Sequence, residues 1–443
     1  MKHLNKTVDK LSTIKTIQQS VPIPKWKVRS GNIGTGVFVS TEVCNEWTFD
    51  DYRKKQTWCV FGTGEGYVYF ELAKRLVDAG HSPKTVFTSG MLVGYDIDID
   101  SVNILKEKIE HTFNIDRDAI TVHNKDYFEL EKTVKFDNFI INSPYNNKLN
   151  TQFISHKHSS KVEEHWNRKG KGVSITKSAP LMSANSGGPE IRDEIFSQVN
   201  KGCKVRILKD DAFDALVRTM YYVLDPNTSS DYVDVYGKDN TIEYSIKRTE
   251  PQYIFHKKII QDVVTSVGTK ENIRGYYEPE RVDEQTKIDY SVDTIVLIEQ
   301  NKSTIESGNI VHSTFGKPFV GMRFQLGGDI HDEYRPHTLN SVIGNSNQTI
   351  RKDYVAIPCQ NNNDRNSVYY QLRHPLNAWI HAHTRTSEQS CRAPQFKFCC
   401  RIPTDEFYNI WPEGNPTIQE YFDYWNILTE HQTEMLHWYN KYV

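Results

Sequence analysis

The stretch Thr57-Trp58-Cys59-Val60-Phe61-Gly62-Thr63-Gly64-Glu65-Gly66 decides how this chain folds. Thr57 to Phe61 are mostly aromatic, β-branched or apolar, the composition of a buried strand. Gly62, Gly64 and Gly66 then alternate with Thr63 and Glu65, as a backbone does where it must turn tightly or approach another group closely. Tyr67 to Ala79 carries apolar residues at helical spacing and stops near Gly80. Strand, glycine turn and helix in that order form a β-loop-α unit, the repeat of an α/β fold.

The alternation continues downstream. Met91 to Tyr95 reads as the next strand, ending at Asp96, and Ser101 to His111 as a helix through Val102, Ile104, Leu105 and Ile109. Asp96 lies roughly 30 residues past the glycine loop, at the tip of the next strand, where an acid can accept hydrogen bonds from ribose hydroxyls. The pattern points to a nucleoside-type cofactor, with a purely structural glycine turn as the simpler alternative. Ile120 to His123 is a short strand running into Asn124-Lys125-Asp126-Tyr127.

Phe136-Asp137-Asn138-Phe139-Ile140-Ile141 reads as a parallel-type strand buried on both faces, and it runs into Asn142-Ser143-Pro144-Tyr145. Pro144 lacks the N–H of a central ladder, so the chain leaves the sheet there, at the carboxyl edge where open α/β sheets bind ligands. The Asn142 side chain and the Ser143 carbonyl offer two acceptors, and Tyr145 offers a stacking face. That set fits an amino group on a flat ring. On their own, the same four residues also compose an ordinary turn.

With 443 residues, the chain exceeds one average domain and has room for two. It is 37% hydrophobic and 25% charged, and no window holds the roughly 18 apolar residues of a membrane span. Leu4, Val8, Leu11, Ile14 and Ile17 space Met1 to Ser20 as one face of a helix, with lysines between them rather than the apolar core of a secretory signal. Seven scattered cysteines suit a reducing cytoplasm better than a disulfide framework. A net charge of -2 excludes a globally basic nucleic-acid binder but not one with its charge segregated by domain.

The order of glycine loop, ribose acid, Asp-aromatic pair and Asn-Ser-Pro-Tyr resembles the S-adenosylmethionine-dependent amino methyltransferases, and among them the DNA adenine-N6 methyltransferases. Upstream, Gly36-Val37-Phe38-Val39-Ser40-Thr41, with Val43 and Trp47, resembles the segment that packs over the cofactor in members whose cofactor motifs come first. Downstream, Lys171 to Thr176, Pro180 to Ser183 and Ile191 to Ile195 resemble the strand-loop-helix after the catalytic loop, and Lys204 to Leu208, Thr219 to Leu224 and Val233 to Tyr236 read as strands completing the sheet. The resemblance implies an α/β fold: an N-terminal helical segment over 1–29, a Rossmann-like methyltransferase sheet with helices on both faces over 30–250, and a mixed α+β target-recognition domain over 251–443.

It further implies S-adenosyl-L-methionine as cofactor, held by Ser40, Thr41, Gly62, Thr63, Gly64, Glu65, Asp96, Ile97, Asp126 and Tyr127, with Asn142, Ser143, Pro144 and Tyr145 catalytic. Asp126 is expected to accept from the cofactor's adenine amine, with Ile97 or Tyr127 against the ring. Glu65 either binds the cofactor's amino group or caps the following helix. Three positions depart from the family pattern. Glu42 replaces a proline, Ser143 replaces the commoner proline but still offers its carbonyl, and Val60-Phe61 replaces the acid before the glycines, so the loop must be ordered some other way.

Roughly 190 residues follow the methyltransferase-like part, more than a small-molecule enzyme of this kind requires. Between Arg365 and Arg401 cations interleave with Tyr369, Tyr370, Trp379, Phe396 and Phe398, the texture of a nucleic-acid surface. Arg365, Arg373, Arg385, Arg392 and Lys397 are the candidate phosphate contacts, and a solvated basic face is the alternative. Cys391, Cys399 and Cys400 with His381 and His383 contain no Cys-x-x-Cys pair, so no metal is expected. Ile418 to Tyr442 reads as helical core packing.

Double-stranded DNA is the expected partner of a cytoplasmic enzyme from a prokaryotic or phage-infected cell, solitary or paired with a cognate restriction endonuclease, with no membrane involved. An amino methyltransferase of RNA or of protein glutamine, and an inactive DNA-binding relative, are the alternatives.

Overall fold

The computed structural model describes residues 37–443 apart from Glu65, 144–154, 183–187, 198–201, 209–218, 238–239, 250–252, 269–279, 282–295, 300–301, 305–316, 324–336, 347, 350–353, 385–395 and Lys397. The helix expected within Met1 to Ser20 lies outside the described residues. The chain divides into two compact units, Met1–His256 and Lys257–Val443.

The first unit is built on a nine-stranded sheet: β1 (Trp58–Phe61), β2 (Leu92–Asp96), β3 (Val122–Asn124), β4 (Asn138–Asn142), β5 (Gly172–Lys177), β6 (Lys204–Ile207), β7 (Thr219–Leu224), β8 (Tyr232–Tyr236) and β9 (Ile242–Lys247). Their order across the sheet is β3-β2-β1-β4-β5-β7-β6-β8-β9. Strands β1 to β5 run parallel, β7 lies antiparallel between β5 and β6, and β8 and β9 close that side as an antiparallel pair. The direction of winding reverses between β1 and β4, so a crevice opens beyond the carboxyl ends of those two strands.

Alternation along β1 assigns its side chains to two cores. Trp58 and Val60 join Leu72, Leu76, Leu105 and Ile109 from the helices Tyr67–Asp78 and Ile99–Phe113. Cys59 and Phe61 join Val162, Ile191 and Ile195 from the helices Ser155–Glu163 and Gly188–Phe196 on the other face. The expected Rossmann-like sheet covered on both faces is therefore present, and each fully buried apolar side chain contributes roughly 1.5–3 kcal/mol.

The segment Gly36 to Thr41 is helical from Val37, in the helix Val37–Cys44, although its Val-Phe-Val start favours a strand locally. Burial of Val39 and Val43 decides the outcome. Glu42 pairs with Arg206 at 2.5 Å, and Glu46 accepts from Lys204 at 2.9 Å and from the Tyr221 hydroxyl at 2.5 Å. These contacts fasten the helix and the turn after it to β6 and β7. Nearby, Asn138 at the start of β4 takes the Trp47 indole N–H at 2.8 Å and the Lys171 amide at 2.9 Å, and donates to Gln56 at 3.1 Å.

The second unit contains a four-stranded antiparallel sheet whose strands lie in the order Glu280–Arg281, Tyr354–Pro358, Phe319–Arg323 and Val342–Gly344. Val320, Met322, Val355 and Ile357 pack against Val368 and Leu372 of the helix Asn362–Arg373. Gln371 anchors a buried polar network, accepting from Ile402 N and the Tyr421 hydroxyl and donating to Ser367 and to the Ile402 carbonyl, so its amide is satisfied. Ile418 to Tyr442 forms two helices, Ile418–Tyr424 and Thr429–Tyr439, broken where Asn426 adopts φ +51°.

Candidate functional site

Three features meet at the crevice between β1 and β4. The turn after β1 holds Gly62, Gly64 and Gly66 at φ of +73°, +49° and +91°, a region that disfavours every side chain. At Gly64 an added Cβ would meet nothing within 4 Å among the described residues, so the turn is open in that direction. At Gly62 the nearest neighbour of such an atom would be the Asn142 carbonyl oxygen, 3.6 Å away. The glycine turn and the end of β4 are therefore adjacent.

The turn is ordered without an acid at Val60 or Phe61. Gly62 N and Thr63 N donate to the Tyr95 carbonyl at 2.9 and 3.2 Å, and Gly66 N donates to the Thr63 carbonyl at 2.9 Å. Gly64 N donates to Asp96 Oδ2 at 2.7 Å. The acid at the tip of β2 does the ordering. The helix Tyr67–Asp78 starts at Gly66 with no side-chain cap. The capping expected of Glu65 lies outside the described residues.

Asp96 Oδ1 accepts from Asp98 N at 2.9 Å, so each carboxylate oxygen holds one internal bond and keeps a further acceptor position. Ile97 beside it is 71% exposed, an apolar side chain presented to solvent at the strand tip. Asp126 caps a 3-10 turn, with Oδ1 accepting from Phe128 N at 2.9 Å. The donor and acceptor set thus fits a nucleoside cofactor: open glycine backbone, a carboxylate with spare acceptors, and an apolar face.

Tyr127 turns inward, buried, with its ring edge-on to Phe61 at 5.5 Å. Its hydroxyl bonds His158 Nδ1 on the helix Ser155–Glu163. Phe128 is instead the ring exposed to solvent beside Asp126. Sequence reasoning missed both His158 and Phe128. Adjacent aromatics in a 3-10 turn carry no periodicity that tells inward from outward, and His158 lies 31 residues from its partner.

At the end of β4, Asn142 is half-buried and pairs with Ile175 of β5, and Ser143 is buried with its hydroxyl 2.6 Å from that of Ser155. Pro144 and Tyr145 lie outside the described residues. Ser40 is buried and Thr41 half-buried in the helix Val37–Cys44. A cavity of about 680 Å³ lies one strand away, walled by Ile99, Lys106, Val122, His123 and Lys125, and neither Gly62, Asp96 nor Asn142 lines it.

Of the basic candidates in the second unit, Arg385, Arg392 and Lys397 lie outside the described residues. Arg365 is buried and donates to Gly344 O at 3.3 Å and Asn345 Oδ1 at 2.6 Å, closing that loop onto its helix. Arg373 is half-buried, lies 5.2 Å from the Tyr369 ring centre and donates to Leu339 O. Cys399 and Cys400 are buried free thiols. Among the described residues no group of three or more His, Cys, Asp or Glu is arranged to hold a metal, and no helix is long and apolar enough to cross a membrane.

No protein-family model matches the chain. No curated protein matches it either. Among solved structures it is similar to the type I restriction-modification system methyltransferase subunit from Streptococcus thermophilus, at 15% identity and TM-score 0.37 over 47% of each chain. It is similar to the type IIG restriction endonuclease BpuSI at 9% identity and TM-score 0.44, over 89% of this chain and 61% of that one. It is similar also to the M protein of the type I restriction enzyme EcoKI, at 11% identity and TM-score 0.33, over 46% of this chain and 50% of that one. The chain thus spans between about half and three fifths of the length of these proteins.

Proposed function

We propose that this protein is an S-adenosylmethionine-dependent DNA methyltransferase that methylates the N6 amine of adenine. The observation that carries the reading is the meeting, at one crevice, of the open glycine turn, the Asp96 carboxylate and the Asn142-Ser143 end of β4. In this reading Asp96 accepts from the cofactor's ribose hydroxyls through its remaining lone pairs, Asp126 accepts from the cofactor's own adenine amine, and Ile97 covers that ring.

The exocyclic amine of adenine is a poor nucleophile because its lone pair is delocalised into the ring. The Asn142 carboxamide oxygen and the Ser143 carbonyl each accept one of its N–H bonds, which turns the lone pair out of conjugation and aims it. Tyr145 stacks on a base swung out of the duplex, since the amine is out of reach inside a stacked helix. When bound, S-adenosylmethionine supplies an electrophilic methyl and a neutral thioether leaving group. Fixed dipoles and positioning carry the reaction, with no general base acting beforehand, and the methylated nitrogen afterwards releases its extra proton to water. The unit after His256, with Arg373 and the cations of 385–397, is the proposed target-recognition part, and a restriction endonuclease is a candidate partner.

The test is transfer of tritiated methyl from S-adenosylmethionine to double-stranded DNA, followed by nucleoside analysis. Label in N6-methyladenine is expected. Label in N4-methylcytosine would overturn the base, and label in RNA or protein with silent DNA would overturn the substrate.

A further inference from the structure

The chain leaves β4 at Ser143 and returns at Ser155, the first residue of the helix Ser155–Glu163. The two stems are joined by the 2.6 Å contact between the Ser143 and Ser155 hydroxyls. One turn further along that helix, His158 Nδ1 bonds the Tyr127 hydroxyl, and Tyr127 directly follows Asp126. We propose that Tyr127 and His158 are positioning residues, coupling the Asp126 turn on the cofactor side to the helix that ends the Asn142 loop. The inference rests on the methyltransferase reading for its functional consequence, but not for its structural one.

The chemistry of the pair is defined. Burial pushes the His158 imidazole down to about 4, His156 pushes it the same way, and the nearby Asp126 carboxylate opposes both. Burial also pushes the Tyr127 phenol up, with Asp126 and Asp96 acting in the same direction. At neutral pH both are uncharged, and in the tautomer with the imidazole proton on Nε2 the phenol donates and Nδ1 accepts. Rings hold the geometry: Phe128 meets His158 edge-on at 4.9 Å and Tyr127 meets it at 5.7 Å. Removing the bond leaves the ring contacts of Tyr127 and Phe128 with His158 and the Ser143-Ser155 contact, but takes away the hydrogen bond that fixes the helix against the Asp126 turn.

Tyr127→Phe and His158→Phe keep the rings and remove the bond. Each is expected to lower the rate at saturating cofactor roughly five- to tenfold, with cofactor KM changed less than twofold. The double variant should be no slower than either single one, because both remove the same interaction. His158→Asn, whose Oδ1 falls near the position of Nδ1, should recover most of the rate. Amide hydrogen exchange across 155–163 should quicken in Tyr127→Phe and His158→Phe. Unchanged exchange would overturn the coupling, as would additive rate losses or His158→Asn as slow as His158→Phe. A wild-type protein that transfers no methyl group, while exchange still quickens in the variants, would sink the methyltransferase reading and leave the coupling standing.

Discussion

The Gly64 amide donates to one oxygen of the Asp96 carboxylate at 2.7 Å, while the other oxygen takes the Asp98 amide at 2.9 Å. A residue read from the sequence as a ribose acceptor is thus also the brace of the glycine turn. Asp96→Ala leaves two backbone N–H groups without their acceptors and should cost about 1–3 kcal/mol of stability. It should also weaken S-adenosylmethionine at least tenfold by calorimetry. Asp96→Asn, with one acceptor left, should fall between. Unchanged cofactor affinity with a lowered Tm would reduce Asp96 to a brace.

Asn142→Ala removes one of the two proposed amine acceptors and leaves the glycine turn and Asp96 in place. The rate should fall on the order of 10²–10³ while cofactor affinity stays within about twofold. Rate and affinity falling together would mean that the cofactor and catalytic roles are misassigned.

Gly64 and Gly66 separate ligand access from packing. An added Cβ at Gly66, where φ is +91°, would sit 2.7 Å from Leu105 Cδ1 and 3.2 Å from Phe70 Cε2, so Gly66→Ala should cost roughly 2–4 kcal/mol. Gly64→Ala meets nothing within 4 Å and should cost only the backbone strain, roughly 1–2 kcal/mol. Cofactor affinity should suffer more in Gly64→Ala. Equal melting temperatures for the two variants would contradict this division.

His374 lies at the start of the helix Pro375–His383, where Nδ1 accepts from Leu376 N at 3.2 Å and Nε2 donates to Ile418 O at 3.1 Å. The bond from Leu376 N needs an unprotonated Nδ1, and burial pushes the ring's pKa down to about 3 against the opposing effect of the Ile418 carbonyl. Because the folded value lies below the ordinary 6.5, the unfolded chain binds the extra proton first. The contribution is complete above about pH 6.5 and is lost as pH falls toward 3. His374→Asn keeps a capping acceptor without titrating, so the Tm difference between wild type and variant should shrink steadily from pH 7 to pH 4.5. A constant difference would show that His374 does not titrate on unfolding.

Burial and the neighbouring Glu163 hold the Glu194 carboxyl well above the usual carboxylate range, and the Tyr222 hydroxyl donates to it at 2.8 Å. A carboxyl kept protonated there is matched by an amide. Glu194→Gln should change stability at pH 7 by less than about 1 kcal/mol in the unfavourable direction, or stabilise, whereas Glu194→Ala should cost about 2–3 kcal/mol. Chemical denaturation decides, and a Gln variant as weak as the Ala variant would refute the protonated state.

Local pattern carried much of the first unit. The glycine turn, the helix ending at Asp78 and strands β1 to β4 fall within about two residues of their expected limits, since apolar runs and glycines act locally. The helix expected from Ser101 begins at Ile99 because the Asp98 side chain accepts from Asp100 N. Contacts between distant residues were not legible. The Asp96 brace spans 32 residues and the Tyr127–His158 bond 31, and nothing in the chain's periodicity marks either. Arg365 shows the same limit in the second unit, where a cation between aromatics is engaged with the Gly344-Asn345 loop.

Asn138 gives the crevice an address. Its three side-chain bonds, to Trp47, Gln56 and Lys171, clamp the first residue of β4, and Asn142 ends the same strand about 13 Å away. Side chains along a strand alternate between faces, so a slip of one residue would send Asn142 to the opposite face and bring Ile141 to its place. The clamp excludes that slip. The orientation of the amide at the crevice is therefore set from the far end of its strand, by an indole, an amide and a backbone N–H that need never touch a ligand.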